Sequence, residues 1–116
     1  MSDVTIFHNP NCGTSRNTLA LLKEKGLQPT VVEYLKAGWT EPQLRGLFRQ
    51  MGVRPRDVLR VRGTDAEERG LTDPAASDEA IVKAMTENPI LVERPIVVTP
   101  KGAALCRPAE RVLDLI

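Results

Sequence analysis

A strand, a helix and a second strand follow one another at the start of this chain with almost no connecting residues. Val4 to His8 alternates, is rich in β-formers and reads as a strand. Asn9-Pro10-Asn11 breaks it. Thr14 to Lys25 has helical spacing, with Leu19, Leu22 and Gly26 at i, i+3 and i+7, and Gly26 stands where a helix C-terminal glycine belongs. Thr30 to Tyr34 reads as a second strand. A helix between two strands with such short links is a crossover, so the strands should be parallel.

The remainder of the chain extends this unit. Thr40-Glu41-Pro42-Gln43 has capping-box spacing with proline near the start, predicting a helix to about Met51 that Gly52 ends. Pro55 to Leu59 predicts a short helix, and Gly63 to Pro74 is polar and reads as a surface loop. Ser77-Asp78-Glu79 caps another helix, apolar at Ile81, Ala84 and Met85, which ends before Pro89. Ile96 to Thr99 and Ala103 to Cys106 flank Pro100-Lys101-Gly102, a hairpin signal. Pro108 opens a last helix with Val112, Leu113 and Ile116 on its apolar side. The order β-α-β, helical stretch, β-β-α predicts an α/β fold with a four-stranded mixed sheet. That is the thioredoxin-like arrangement with a helical insertion at about 40–90. At 116 residues the expectation is a single domain, 1–116.

Charge and composition exclude several function classes. Sixteen basic and fifteen acidic residues give a net charge of +1, without the strongly basic face of a nucleic-acid binder. Phe7, Tyr34, Trp39 and Phe48 are too scattered for a base-stacking platform. No apolar run approaches the roughly 20 residues that span a bilayer. Met1-Ser2-Asp3 opens no secretory signal, so the expectation is a cytoplasmic protein, with no membrane partner and both cysteines reduced. Cys12 and Cys106 lie far apart and there is one histidine, so no metal site is expected.

Cys12 falls between a strand and a helix. A helix N-terminus offers unpaired amides and partial positive charge, which lower a thiol pKa. Gly13 would let a ligand approach the backbone; Thr14 and Ser15 add hydroxyls, and Arg16 adds charge. The same amides suit an oxyanion. The competing reading is an inert cysteine beside a helix cap; His8-Asn9-Pro10 before it and Gly-Thr-Ser-Arg after it favour function. His8 either ends the strand in solvent or supports the thiolate by charge or hydrogen bonding. A phosphatase-type loop requires an arginine where Thr18 stands. A dithiol centre requires a cysteine where Ser15 stands, so a redox-active Cys12 would take its resolving thiol from outside. No phosphate-binding glycine loop or nucleophile elbow is present. Among eleven arginines, Arg60, Arg94 and Arg107 stand out by placement, against the alternative of solvated surface charge.

Phe7-His8-Asn9-Pro10-Asn11-Cys12-Gly13-Thr14-Ser15-Arg16-Asn17-Thr18-Leu19 resembles the active-site stretch of the glutaredoxin-coupled, ArsC-type arsenate reductases. Glu93-Arg94-Pro95-Ile96-Val97-Val98-Thr99-Pro100 resembles their third-strand motif, and Leu105-Cys106-Arg107-Pro108 their last one. Asn88-Pro89-Ile90-Leu91 and Leu59-Arg60 also fit, so the resemblance covers essentially the whole chain. It implies reduction of arsenate to arsenite with glutathione and glutaredoxin as reductants and partners, and no bound cofactor or metal. It implies Cys12 as nucleophile, His8 and Ser15 as supports of its thiolate, and Arg60, Arg94 and Arg107 with Gly13 and Thr14 around the oxyanion. Many members continue beyond the last helix.

Two other functions share this fold. One is a regulator similar to Spx, which binds RNA polymerase; its usual second cysteine is Ser15 here. The other is a glutathione-dependent thiol oxidoreductase with a different substrate. Two further expectations follow. Cys106 should be a buried strand-end thiol, with Ala104 turned outward. The Arg94-Pro95 bond should be cis, since thioredoxin-like domains place such a proline before the third strand.

Overall fold

The computed structural model describes residues 3–116; Met1 and Ser2 of the opening segment lie outside the described residues. The chain divides into two compact units. One comprises the chain up to Ala37 together with Arg94–Ile116, and the other Gly38–Glu93.

The first unit is a four-stranded sheet in the order β2-β1-β3-β4. Its strands are β1 (Thr5–His8), β2 (Thr30–Glu33), β3 (Ile96–Thr99) and β4 (Gly102–Leu105). β1 pairs parallel with β2, from Thr5 opposite Thr30 to His8 opposite Glu33. It pairs antiparallel with β3, Ile6 opposite Val97, and β3 pairs antiparallel with β4, Ile96 opposite Leu105. The sheet is therefore mixed and thioredoxin-like. The parallel pair is joined by α1 (Gly13–Glu24). Gly26, at φ +81°, and the bond from Leu27 N–H to Leu22 O (3.1 Å) close that helix.

Apolar burial explains the order of the sheet. The central strands carry Ile6, Phe7, Ile96 and Val97, all buried, so both faces need cover. Ile6 and Val97 pack in one cluster with Val4, Leu22, Cys106, Val112 and Leu115, drawn from the sheet, α1 and the closing segment. β2 is an edge strand with a 42% exposed Val31. It stops at Glu33, because Tyr34 turns into a four-residue helix, α2 (Tyr34–Ala37). The predicted last helix is a 3-10 helix, Ala109–Leu115. Its turn is fastened at the carboxyl end, where Leu115 O accepts from Thr99 Oγ1 at 2.7 Å.

Ala104 differs from the expected outward orientation. It packs against the cluster that contains Cys106, because residues two apart on extended chain share a face.

The second unit is built on α3 (Glu41–Met51) and α4 (Asp78–Glu87). The capping box forms: Thr40 Oγ1 accepts from Gln43 N–H and Gln43 Oε1 accepts from Thr40 N–H, both at 3.3 Å. Gly52 ends α3 at φ +68°, a left-handed position that suits glycine. Ser77 Oγ caps α4 by accepting from Ala80 N–H at 3.1 Å. α4 packs on α3 and on two 3-10 turns, Pro55–Val58 and Pro89–Leu91. The segment from Gly63 to Pro74 is more than a surface loop. Ala66 and Leu71 are buried, and Arg69 joins Asp65 (2.8 Å) to Glu87 (3.1 Å). Polarity in the sequence hid these two small apolar anchors.

Two substitutions test these assignments by urea unfolding. Ile6→Ala should cost about 2–5 kcal/mol, the range for emptying a close-packed site. Thr40→Ala should cost about 1 kcal/mol through the lost cap. Equal, small losses in both variants would contradict the burial described.

Candidate active site

The loop after β1 fixes the position of one sulfur atom. Asn9 turns the chain: its carbonyl accepts from Cys12 N–H and its side-chain Oδ1 from Asn11 N–H, both at 3.0 Å. Asn and Asp side chains favour such turns because they bond backbone two residues on. Cys12 then occupies the N-cap of α1 with extended backbone, φ −101° and ψ 121°, and its carbonyl starts the helix by accepting from Arg16 N–H at 3.0 Å.

The inward face of α1 is polar where it meets this loop. Ser15 and Thr18 are fully buried. Ser15 Oγ accepts from Asn9 N–H at 3.0 Å and lies 2.6 Å from His8 Nδ1. One oxygen thus joins the strand end, the loop and the helix. Thr18 satisfies its hydroxyl on Thr14 O at 2.8 Å. His8 is buried, and burial holds its pKa below the ordinary value; Arg16 and Lys23 push the same way and Glu33 opposes them. The imidazole is therefore mainly neutral at neutral pH. The sequence left open a solvated strand end or support of the thiolate by charge or hydrogen bonding; His8 is buried rather than solvated, and its hydrogen bond runs to Ser15.

Cys12 is 7% exposed. Burial pushes its thiol pKa up, but the Ser15 amide, the Arg94 charge, the Arg107 hydrogen bond and the Thr14 amide together bring it below the ordinary thiol value. Helix amides favour the thiolate because a charged sulfur is the better acceptor. Arg107 Nη1 lies 3.7 Å from Cys12 Sγ and donates to Arg94 O at 3.1 Å. That second bond ties the chain leaving β4 to the chain entering β3. The Arg94–Pro95 and Arg107–Pro108 bonds are both cis; the sequence reading anticipated only the former. Cys106 is the opposite case. Burial pushes its thiol up to about 11, and it is fully buried.

Of the residues singled out from sequence, His8, Cys12, Gly13, Thr14, Ser15, Arg94, Pro95 and Arg107 all lie in the first unit. Gly13 is the first residue of α1; a Cβ there would meet only Arg16 Nη2, at 3.8 Å. Arg60 lies in the second unit, where its Nε donates to Arg62 O at 3.1 Å. Asn9 was missed as a positioning residue, although asparagine before proline at a strand end is a turn signal. Among the described residues no group of three or more His, Cys, Asp or Glu is placed to hold a metal ion. Among the described residues no helix is long and apolar enough to cross a membrane. The arrangement supplies a nucleophilic sulfur beside two guanidinium groups and helix amides, a combination suited to attack on a tetrahedral oxyanion.

The two thiols should separate by pH. Alkylation with iodoacetamide should label Cys12 with a midpoint below that of a free thiol, because thiolate is the reacting form and grows as pH rises. Cys106 should stay unlabelled in the folded protein up to about pH 10. Peptide mapping after alkylation reads both; faster labelling of Cys106 would contradict this assignment.

Comparison with known proteins agrees with the geometry. The ArsC family model matches residues 7–115. An arsenate reductase of Synechocystis, ArsI2, is 53% identical over 113 residues, which is 97% of this chain and 81% of that protein. The arsenate reductase of Escherichia coli K12 is 45% identical over 116 residues, all of this chain and 82% of that one. The solved arsenate reductase from Vibrio cholerae superposes with a TM-score of 0.93 at 41% identity, covering 97% of each chain. With its family signature spanning nearly every residue and its reactive sulfur at the strand-to-helix turn, the chain belongs to the ArsC family.

Proposed function

We propose that this protein is an arsenate reductase that uses Cys12 as nucleophile and draws its electrons from glutathione and glutaredoxin. The observation that carries the reading is the sulfur at the α1 N-cap, with its thiolate favoured by the Ser15 amide, Arg94 and Arg107. The names of relatives at 45–53% identity support arsenate as substrate.

The Cys12 thiolate forms a bond to arsenic and one arsenate oxygen leaves as water after taking up protons. Glutathione displaces a second oxygen in the same way. A glutaredoxin thiolate then attacks the glutathione sulfur, and the glutathione–arsenic electron pair stays on arsenic. Arsenic(V) becomes arsenic(III), and two thiols become one mixed disulfide. Hydrolysis of the Cys12–arsenic bond releases arsenite and restores the thiol.

Arg94 and Arg107 neutralise the oxyanion, with the first-turn amides of Gly13 and Thr14. The resemblance gives Arg60 the same task. Ser15 and His8 hold the loop so that Cys12 keeps its position. No bound cofactor is needed, and a reducing cytoplasm with a glutathione pool is the compartment such chemistry requires.

The test is arsenate-dependent NADPH oxidation in a mixture of glutathione, glutaredoxin and glutathione reductase. Cys12→Ser should abolish turnover, and Cys106→Ser should keep most of it. Arg107→Lys keeps charge but loses the planar fork, so kcat for arsenate should fall by up to about 100- to 1,000-fold, the range for removing an oxyanion donor. Oxidation that does not depend on arsenate, with the fold intact, would remove the reading.

A further inference from the structure

Arg16 is the one charged side chain of the reactive loop that the chemistry above leaves without a task. It is the fourth residue of α1, and the first turn of that helix contains no acidic residue. A cation near a helix N-terminus stands against the macrodipole, so its position is not explained by helix stability. The side chain is nonetheless held. Arg16 Nη1 donates to Pro10 O at 2.8 Å, and Nη2 lies 3.8 Å from the point where a Gly13 Cβ would stand. The guanidinium is thereby folded back over the Pro10–Gly13 turn that presents Cys12. It is exposed, and no carboxylate pairs with it among the described residues. Arg45, Arg54 and Arg69 in the same chain all have carboxylate partners.

An anchored guanidinium with spare donors is prepared for a planar anion, because the entropy of ordering it has already been spent. The oxyanion at Cys12 already has Arg94 and Arg107. What remains to be recognised at this turn is the thiol that must reach the same sulfur. We propose that Arg16 binds a carboxylate of glutathione and thereby sets the preference of Cys12 for an anionic thiol over a neutral one. The proposal rests on the glutathione-dependent reading for its role in turnover, but not for its chemistry at Cys12.

Two measurements separate these. In the coupled assay, Arg16→Gln should raise KM for glutathione about tenfold, the effect of one lost charge-assisted hydrogen bond, with KM for arsenate within twofold. Arg16→Lys should fall between. The glutathione KM of the unaltered protein should rise with ionic strength, and that of Arg16→Gln much less. The second measurement uses no arsenate. The Cys12 thiolate attacks oxidised glutathione, forming a Cys12–glutathione disulfide and releasing glutathione thiolate. Arg16→Gln should slow this about tenfold and leave the rate with bis(2-hydroxyethyl) disulfide unchanged. Equal slowing with both disulfides would mean that Arg16 acts on the sulfur itself and would overturn the proposal. So would a rise confined to the KM for arsenate or for glutaredoxin. If arsenate turnover is absent but disulfide selectivity follows Arg16, the arsenate reading fails and this inference stands.

Discussion

A sulfur atom stands where a helix-capping oxygen normally stands, and the first unit is organised around that substitution. Serine, threonine, aspartate and asparagine cap helices because an oxygen accepts from the first free amides. A neutral thiol is a poor substitute, and α1 has no formed side-chain cap bond at Cys12. The helix end therefore gains when the sulfur ionises, since the thiolate is the acceptor the amides lack. Each pKa unit of lowering corresponds to about 1.4 kcal/mol of preference for the anion. Burial works against it, and Arg94 and Arg107 push in the same direction as the amides.

Holding the sulfur in that position is the work of neutral groups. Ser15 Oγ links β1, the loop and α1 through His8 and Asn9. Burial keeps His8 mainly uncharged at neutral pH, so this link adds no positive charge that would vary as the imidazole titrates. The charged groups come from elsewhere in the unit, from the chain entering β3 and leaving β4. The sheet brings these together because β3 lies between β1 and β4. A sequence separation of 95 residues between Cys12 and Arg107 is closed by two antiparallel pairings.

What the sequence made legible was the local chemistry: the Thr40 and Ser77 caps, the Gly26 and Gly52 stops, and the crossover that forces β1 and β2 parallel. Those rest on neighbours within a few residues. The miss at Ala104 came from misreading a period of two, and the miss at Ala66 and Leu71 from treating a polar segment as wholly exposed. The 3-10 form of Ala109–Leu115 was not legible either. Its geometry depends on a bond to Thr99 in another element, which no local pattern reveals. The role of His8 needed its burial, and burial is a property of the packed sheet.

Position 15 decides whether a second thiol stands beside Cys12. A cysteine there would make an internal dithiol, but the site is fully buried and its oxygen meets both His8 and Asn9. Sulfur is larger and a weaker acceptor, so the change would loosen the loop that positions Cys12. The remaining cysteine, Cys106, is buried with its pKa pushed to about 11, which leaves almost no thiolate for resolving chemistry. Both thiols are free. On the glutathione-dependent reading proposed above, the one reactive sulfur is committed to the substrate and the neighbouring position is a hydroxyl, so the active-site turn must stay open to an external thiol. Under that same proposal the exposed guanidinium of Arg16, held on Pro10 O beside the turn, is the group that chooses the thiol.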